Sequence, residues 1–459
     1  MNVGRVRTRF PALTPPDGAP PPTYLDSACL SLVPREVLDA MEEYYGRYPG
    51  CAGRSVHRFS EEVGRRYEEA REAFARFFGR DDPRSVVFTR NATEAIDLVA
   101  EGLPWKRGDR VLVTDREHNS NLVVWQRLAR ERGIRLETFA LPEDRPFDGE
   151  AFDRALARRP RLVSLFHTSN LDGRTLPLDE IVARAHAWGA LVLADGCQAA
   201  PHRRLALDRL GVDAYAVSAH KMLGPTGVGA LLATPELLAR LRPLLVGGET
   251  VAWTTLDAHE LRPAPHRFEA GLQNYAGVLG ARAGLAFLDR VGLEAVERQQ
   301  RTLNEQVGRG LEDEPRVHLL GPPEPADRPS IFAFTLDGVD PHDAALFLDE
   351  AHGVLVRSGM HCVHSYYAAR GLPGNVRASF YLYNDRRDAE KLVAGVRELL
   401  DRIPGRSRPS GTSVATAGWR SPGAPARRRG AGSGAAAARS ARPRRRAGPG
   451  RAGSGAGSD

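Results

Sequence analysis

Four hundred and fifty-nine residues, 42% hydrophobic and 26% charged, suffice for two or three domains with a large core and are too polar for a chain that spans a bilayer. The formal charge of +7 is uneven. Residues 404–459 hold twelve Arg and one acid, so the other 403 residues carry 52 bases against 56 acids, which weakens a nucleic-acid role for the folded part.

No stretch reaches the roughly 20 apolar residues of a membrane span, and the opening MNVGRVRTRFPALTPPDGAPPP lacks the apolar centre of a signal peptide. A cytoplasmic protein is expected. Residues 1–23 are expected as an N-terminal segment packing on a small domain. From about residue 34 to 285 short apolar runs alternate with helical periodicity, which predicts strands at 85–89, 110–114, 161–168, 191–195, 214–218 and 229–233. Helices are predicted between them at about 60–78, 92–103, 119–132, 149–158 and 178–188. Apolar strands linked by helices imply an α/β layer with a mostly parallel sheet buried on both faces. This gives a large domain over 24–284. After Gly277 the pattern changes to helices at 278–291 and 293–311, strands near 330–336, 353–357 and 376–382, and a last helix at 386–401, a smaller α+β domain over 285–403. Residues 404–459, rich in Ala, Gly, Pro and Ser, bury too little to fold and are expected as a disordered tail.

Ligands bind outside the carboxyl ends of such a sheet, and polar clusters follow the strands there. Lysine use is informative, because of 64 basic residues only Lys106, Lys221 and Lys391 are lysines. Lys221 follows an apolar strand and precedes a Gly/Pro loop. Its amine can form a Schiff base, as an arginine cannot, although a lysine covering a sheet edge would look the same. Asp195 ends the strand LVLAD, 26 residues earlier. It suits a helix N-cap or a carboxylate holding a protonated pyridine nitrogen. The pair, one strand–helix–strand apart, favours pyridoxal 5'-phosphate (PLP). Cys29, Cys51, Cys197 and Cys362 show neither a disulfide framework nor the Cys/His spacing of a metal site, and no GxGxxG stands between a predicted strand and helix.

The segments YLDSA (24–28), FTRNATEAIDLVA (88–100), EHNSNLVVWQ (117–126), TSNLDGR (168–174), ADGCQA (194–199), SAHKMLGPTGVG (218–229), RFEAGLQN (267–274), RSGMHC (357–362) and RASFYLYN (377–384) resemble the class V aminotransferases, fold-type I PLP-dependent enzymes, and within them the Suf-type (group II) cysteine desulfurases and selenocysteine lyases. The resemblance implies Lys221 as Schiff-base lysine and proton carrier, Asp195 on the pyridine nitrogen, Gln198 on the ring oxygen and His118 on the ring face. It implies a phosphate cup from Ala92, Thr93, Ser218 and His220, in part at a helix N-terminus. It places Asn170, Arg377 and Arg357 at the substrate carboxylate, and Cys362 as the thiol that takes sulfur.

The implied reaction turns L-cysteine, or L-selenocysteine, into L-alanine, leaves a persulfide on Cys362, and passes sulfur to an acceptor protein for iron–sulfur clusters or thio-cofactors. A homodimer is implied, with the segment 267–274 reaching the partner's phosphate. A thiol ionises more readily beside a protonated histidine or another cation, and His361 is adjacent; Cys29, Cys51 and Cys197 are expected to be packing residues. Met360, Val363, Gly53 and Leu272 depart from the family pattern. Other class V reactions (selenocysteine lyase, epimerase, aminotransferase) share Lys221 and Asp195. A nucleic-acid binder working through the tail is the contrasting class; the tail's single aromatic, Trp419, argues against base stacking.

Overall fold

The computed structural model describes residues 1–15 and 18–403, so the expectation for residues 404–459 lies outside the described residues. A seven-stranded sheet runs in the order Val86–Thr89, Gly229–Ala233, Ala214–Ser218, Leu191–Asp195, Leu162–Phe166, Arg110–Thr114 and Arg135–Phe139. The last five are mutually parallel, and Gly229–Ala233 runs against both of its neighbours. The sheet is therefore mostly parallel, as the alternation predicts.

Both faces are covered, and the strand residues divide accordingly. Val87, Val111, Val113, Leu193 and Leu231 share one core with the helices Ala92–Gly102 and Val123–Arg132. The alternate residues Val86, Leu112, Val192, Tyr215 and Leu232 share the other with Arg58–Phe78, Leu178–Ala187 and Tyr275–Val291. This is why the strands read as continuous apolar runs. Helix ends obey local chemistry. Asn91 accepts the Glu94 N–H (3.0 Å) at the start of Ala92–Gly102, and Gly79, at φ 62°, closes Arg58–Phe78.

A second, antiparallel sheet has the order Val317–Leu320, Ile331–Leu336, Asn375–Ser379 and Arg357–Gly359. Helices Leu293–Leu311, Pro341–His352 and Arg386–Arg402 pack on it through Leu303, Leu348 and Leu392. Among the described residues no helix is long and apolar enough to cross a membrane.

Differences from the predicted elements have local causes. The strand expected near 353–357 is two strands, Val354–Leu355 pairing with Thr23–Tyr24 and Arg357–Gly359 joining the second sheet. The helix expected from 119 begins at Val123, because Asn119–Asn121 form a 3-10 turn. The edge strand Arg135–Phe139 and the helices Pro341–His352 and His364–Arg370 carry few regularly spaced apolar residues, whereas Arg35–Arg47, also absent from the predicted elements, does carry such a stripe at Val37, Met41 and Tyr44.

Candidate active site

Strand ends of the larger sheet and a loop of the smaller one enclose a cavity of about 200 Å³. Ala92, Thr93, His118, Asn170, Asp195, Gln198, Ser218, His220, Lys221, Arg357 and Arg377 all line it. Cys362 does not; it stands behind Arg357, whose Nη2 lies 3.9 Å from Cys362 Sγ.

At one end the helix Ala92–Gly102 points its N-terminus at the cavity. Ala92 N–H donates to Ser218 Oγ (2.9 Å), the Thr93 hydroxyl lies 2.8 Å from Ser120 Oγ, and no described residue accepts the Thr93 N–H. Such an end attracts an anion. Gly229 allows the approach, since a Cβ there would sit 2.6 Å from both Asn91 Cα and Val217 O.

Deeper in, Asp195 is buried at its strand end and accepts the Cys197 N–H at 3.0 Å (Oδ1). The next residue, Gly196, packs on Tyr215 so tightly that a Cβ would meet the ring at 1.9 Å, and Tyr215 is held by His167 (2.9 Å). Gln198 donates to Ala28 O (2.6 Å) and keeps Oε1 buried without a partner. Lys221 follows Ala214–Ser218 on the turn Ala219–Lys221 and makes no hydrogen bond or ion pair among the described residues.

His118 is neutral. Its Nδ1 accepts the Ser120 N–H (3.1 Å), which leaves the proton on Nε2, and burial together with the nearby Lys221 pushes its pKa down to about 4. Burial and Lys221 also push His220 down to about 4. Glu117, the residue before His118, is buried beneath the site, accepts from Thr114, Asn121 and the Phe166 N–H, and is pushed up to about 8 by burial.

On the facing wall Arg377 is fully buried. It donates to Asn170 O (2.8 Å) and Asp26 Oδ1 (3.1 Å), and its Nε has no partner. A guanidinium with an open N–H suits a carboxylate. Asn170 Nδ2 donates to His361 O (2.7 Å), so Asn170, whose carbonyl Arg377 binds, touches the loop that carries Cys362. In that loop His361 (φ 47°) and Cys362 (φ 60°) are consecutive left-handed residues, each costing about 1–2 kcal/mol.

The structure corrects the expectation for the thiol's neighbour. His361 is buried, lies 3.2 Å through Nε2 from Asn375 O, and is pushed down to about 2 by burial and by Arg377 and Arg357. It is a neutral ring, and the cation beside the sulfur is Arg357. Cys197 packs in the core as expected, yet two of the cysteines expected only to pack also reach the site. Cys29 and Cys197 line the cavity. Cys197 is buried and its thiol is pushed up to about 12 by burial and Asp195; Cys29 directly follows the matched segment YLDSA, the one sequence signal that could have placed it here. Asp26 and Asn119 were likewise missed, because their contacts come from distant segments. Leu272 is exposed and outside this cavity, and Gly53 lines a separate one of about 750 Å³ with Glu249, Glu269 and Tyr275.

The aminotransferase class-V family model matches residues 23–392. A "probable cysteine desulfurase" of Streptomyces coelicolor is 38% identical over 380 residues, 81% of this chain and 91% of that one. The apo structure of a cysteine desulfurase from Thermococcus onnurineus NA1 superposes with a TM-score of 0.83 at 35% identity, covering 87% of this chain and 98% of that one. A lysine-to-alanine variant of C-DES, solved with glycine covalently linked to its PLP cofactor, gives a TM-score of 0.74 at 27% identity over 84% of this chain and 98% of that one. With its strand-end lysine and aspartate in one cavity and most of its length matched, the chain belongs to the aminotransferase class-V family.

Proposed function

We propose that this protein is a PLP-dependent cysteine desulfurase that converts L-cysteine to L-alanine and receives the sulfur on Cys362. One observation carries the reading: a lysine, a buried carboxylate and an open helix N-terminus share a cavity whose far wall presents Arg377 and, behind Arg357, a thiol.

The residues fit the cofactor. The unpartnered Thr93 N–H, with Ala92, Ser218 and His220, would hold its phosphate, and Lys221 Nζ its aldehyde. Asp195 would pair with the ring nitrogen, and Gln198, with an amide hydrogen and Oε1 still open, with the ring oxygen. His118, neutral and fixed by Ser120, would cover the ring face. When bound, the group withdraws electrons from the substrate's Cα.

The chain's own residues supply the rest. Arg377 and Asn170, with Arg357, bind the substrate carboxylate and orient Cα. Lys221 Nζ takes the Cα proton and later returns one to the product side. Cys362 Sγ attacks the substrate sulfur; an S–S bond forms, the C–S bond breaks, and Arg357 faces the thiolate that attacks. Cysteine plus thiol thus gives alanine plus persulfide, with no oxidant.

The reading extends to a cytoplasmic homodimer in which the segment 267–274 reaches the partner's phosphate site. Exposed Val246, Trp253, Leu256 and Leu272 on the neighbouring surface support that. A protein acceptor would carry the sulfur toward iron–sulfur clusters or thio-cofactors. Purified protein given L-cysteine and a reductant is expected to release alanine and sulfide in equal amounts. Pyruvate, or a keto acid with ammonia, in place of alanine would reject the desulfurase reading in favour of a relative's reaction.

A further inference from the structure

Asn119 and Asn170 come from two different loops of the seven-stranded sheet, yet both bind the loop that carries Cys362. Asn170 Nδ2 donates to His361 O (2.7 Å), and Asn119 N–H donates to Cys362 O (2.7 Å). The Asn119 side chain then lies 2.8 Å, through Nδ2, from His364 Nδ1, at the first residue of the helix His364–Arg370. The carbonyls of the two left-handed residues, and the side chain of His364 two positions further on, are therefore all held from the opposite wall of the cavity.

We propose that the two asparagines form a clamp that keeps His361 and Cys362 in the left-handed region, with Asn119 a positioning residue for Cys362 Sγ. An unheld pair of non-glycine residues would relax toward right-handed or extended backbone and swing the sulfur away. The far end of the same helix is also fixed. Arg370 pairs with Asp115 (3.1 Å) and Glu143 (2.9 Å) and lies over the Tyr366 ring at 3.8 Å. Because Asn119 directly follows His118, one short turn sets both the ring-face histidine and the sulfur loop.

The clamp rests on the reading of Cys362 as sulfur acceptor, but it can be tested on the resting holoenzyme without cysteine. Asn119→Ala removes the link to His364, and His364→Ala removes it from the exposed end without touching the His118 turn. In each variant alkylation of Cys362 by iodoacetamide, followed by peptide mass, is expected to quicken about fivefold, the loss of one hydrogen bond. With L-cysteine, kcat for sulfide should fall by a similar factor while KM and the visible absorbance of the cofactor stay unchanged. The double variant should match either single one. Asn119→Asp, whose carboxylate accepts from the imidazole N–H, should restore the parent rates. Unchanged alkylation in both single variants, additive effects in the double variant, or loss of cofactor absorbance in Asn119→Ala would overturn the clamp. Faster alkylation in a protein that releases no sulfide would keep the clamp and sink the desulfurase reading.

Discussion

Along the carboxyl end of the seven-stranded sheet, Asp195 and Lys221 stand within three residues of strands whose own apolar runs decide where they end. Across the cavity the Cys362 loop is shaped by Asn119 and Asn170, which are far away in sequence, together with Arg357 and Asn375 from the strands beside it. The first wall is local and stiff, its positions set by backbone ladders. The second is assembled from long-range contacts and holds strained backbone. The division suits the chemistry, since a proton at Cα needs a fixed amine, whereas sulfur transfer needs a thiol set against a separate group.

The largest expected effect tests the first wall. Lys221→Ala should lower turnover by more than about a thousandfold, the range of a lost acid–base group, and borohydride should attach the cofactor to Lys221 in the parent alone. Label recovered on Lys106 or Lys391 would reject the assignment. Next, Cys362→Ala should break the two walls apart: the yellow cofactor persists and cysteine still binds, yet sulfide release falls by orders of magnitude. Equal rates in variant and parent would remove the thiol from the mechanism.

A third test leaves the chemistry alone. Gly196→Ala pushes a Cβ into the Tyr215 ring behind Asp195 and should cost about 1–3 kcal/mol in denaturant unfolding. No loss of stability would mean that this wall is not tightly packed. The smallest effect compares one histidine from each wall. His167 and His361 are pushed down to about 3 and about 2 by burial, below the ordinary value near 6.5. Above about pH 6.5 both rings are neutral folded and unfolded, and their contribution is complete. As pH falls below that, only the unfolded chain takes the protons, so each ring removes about 1.4 kcal/mol of stability per pH unit until it too is charged in the fold. His361→Asn should flatten that acid slope by one proton and leave the limbs of the activity profile between pH 6 and 8 in place. A shifted limb would restore His361 as the titrating neighbour of the thiol.

The same division explains what could be read from the sequence. Asp195 and Lys221 are legible because LVLAD and AYAVS are unbroken apolar runs, and a polar residue at such an end has one place to go. RSGMHC is legible only as a pattern. That His361 is buried and neutral depends on Asn375, Arg377 and Arg357, and that Cys29 faces the cavity depends on a loop docking beside Ser379 through Ala28. The split of 353–357 into strands of two sheets has the same origin: the short run GVLVR does not reveal which partner each half will find.

The most direct measurement is a single turnover with one equivalent of L-cysteine and no reductant, followed by peptide mapping of the sulfur. The account predicts one alanine per active site and one extra sulfur atom on the peptide bearing Cys362, absent in Cys362→Ala. Alanine formed with no added sulfur on Cys362, or with the sulfur on Cys29 in its place, would contradict it.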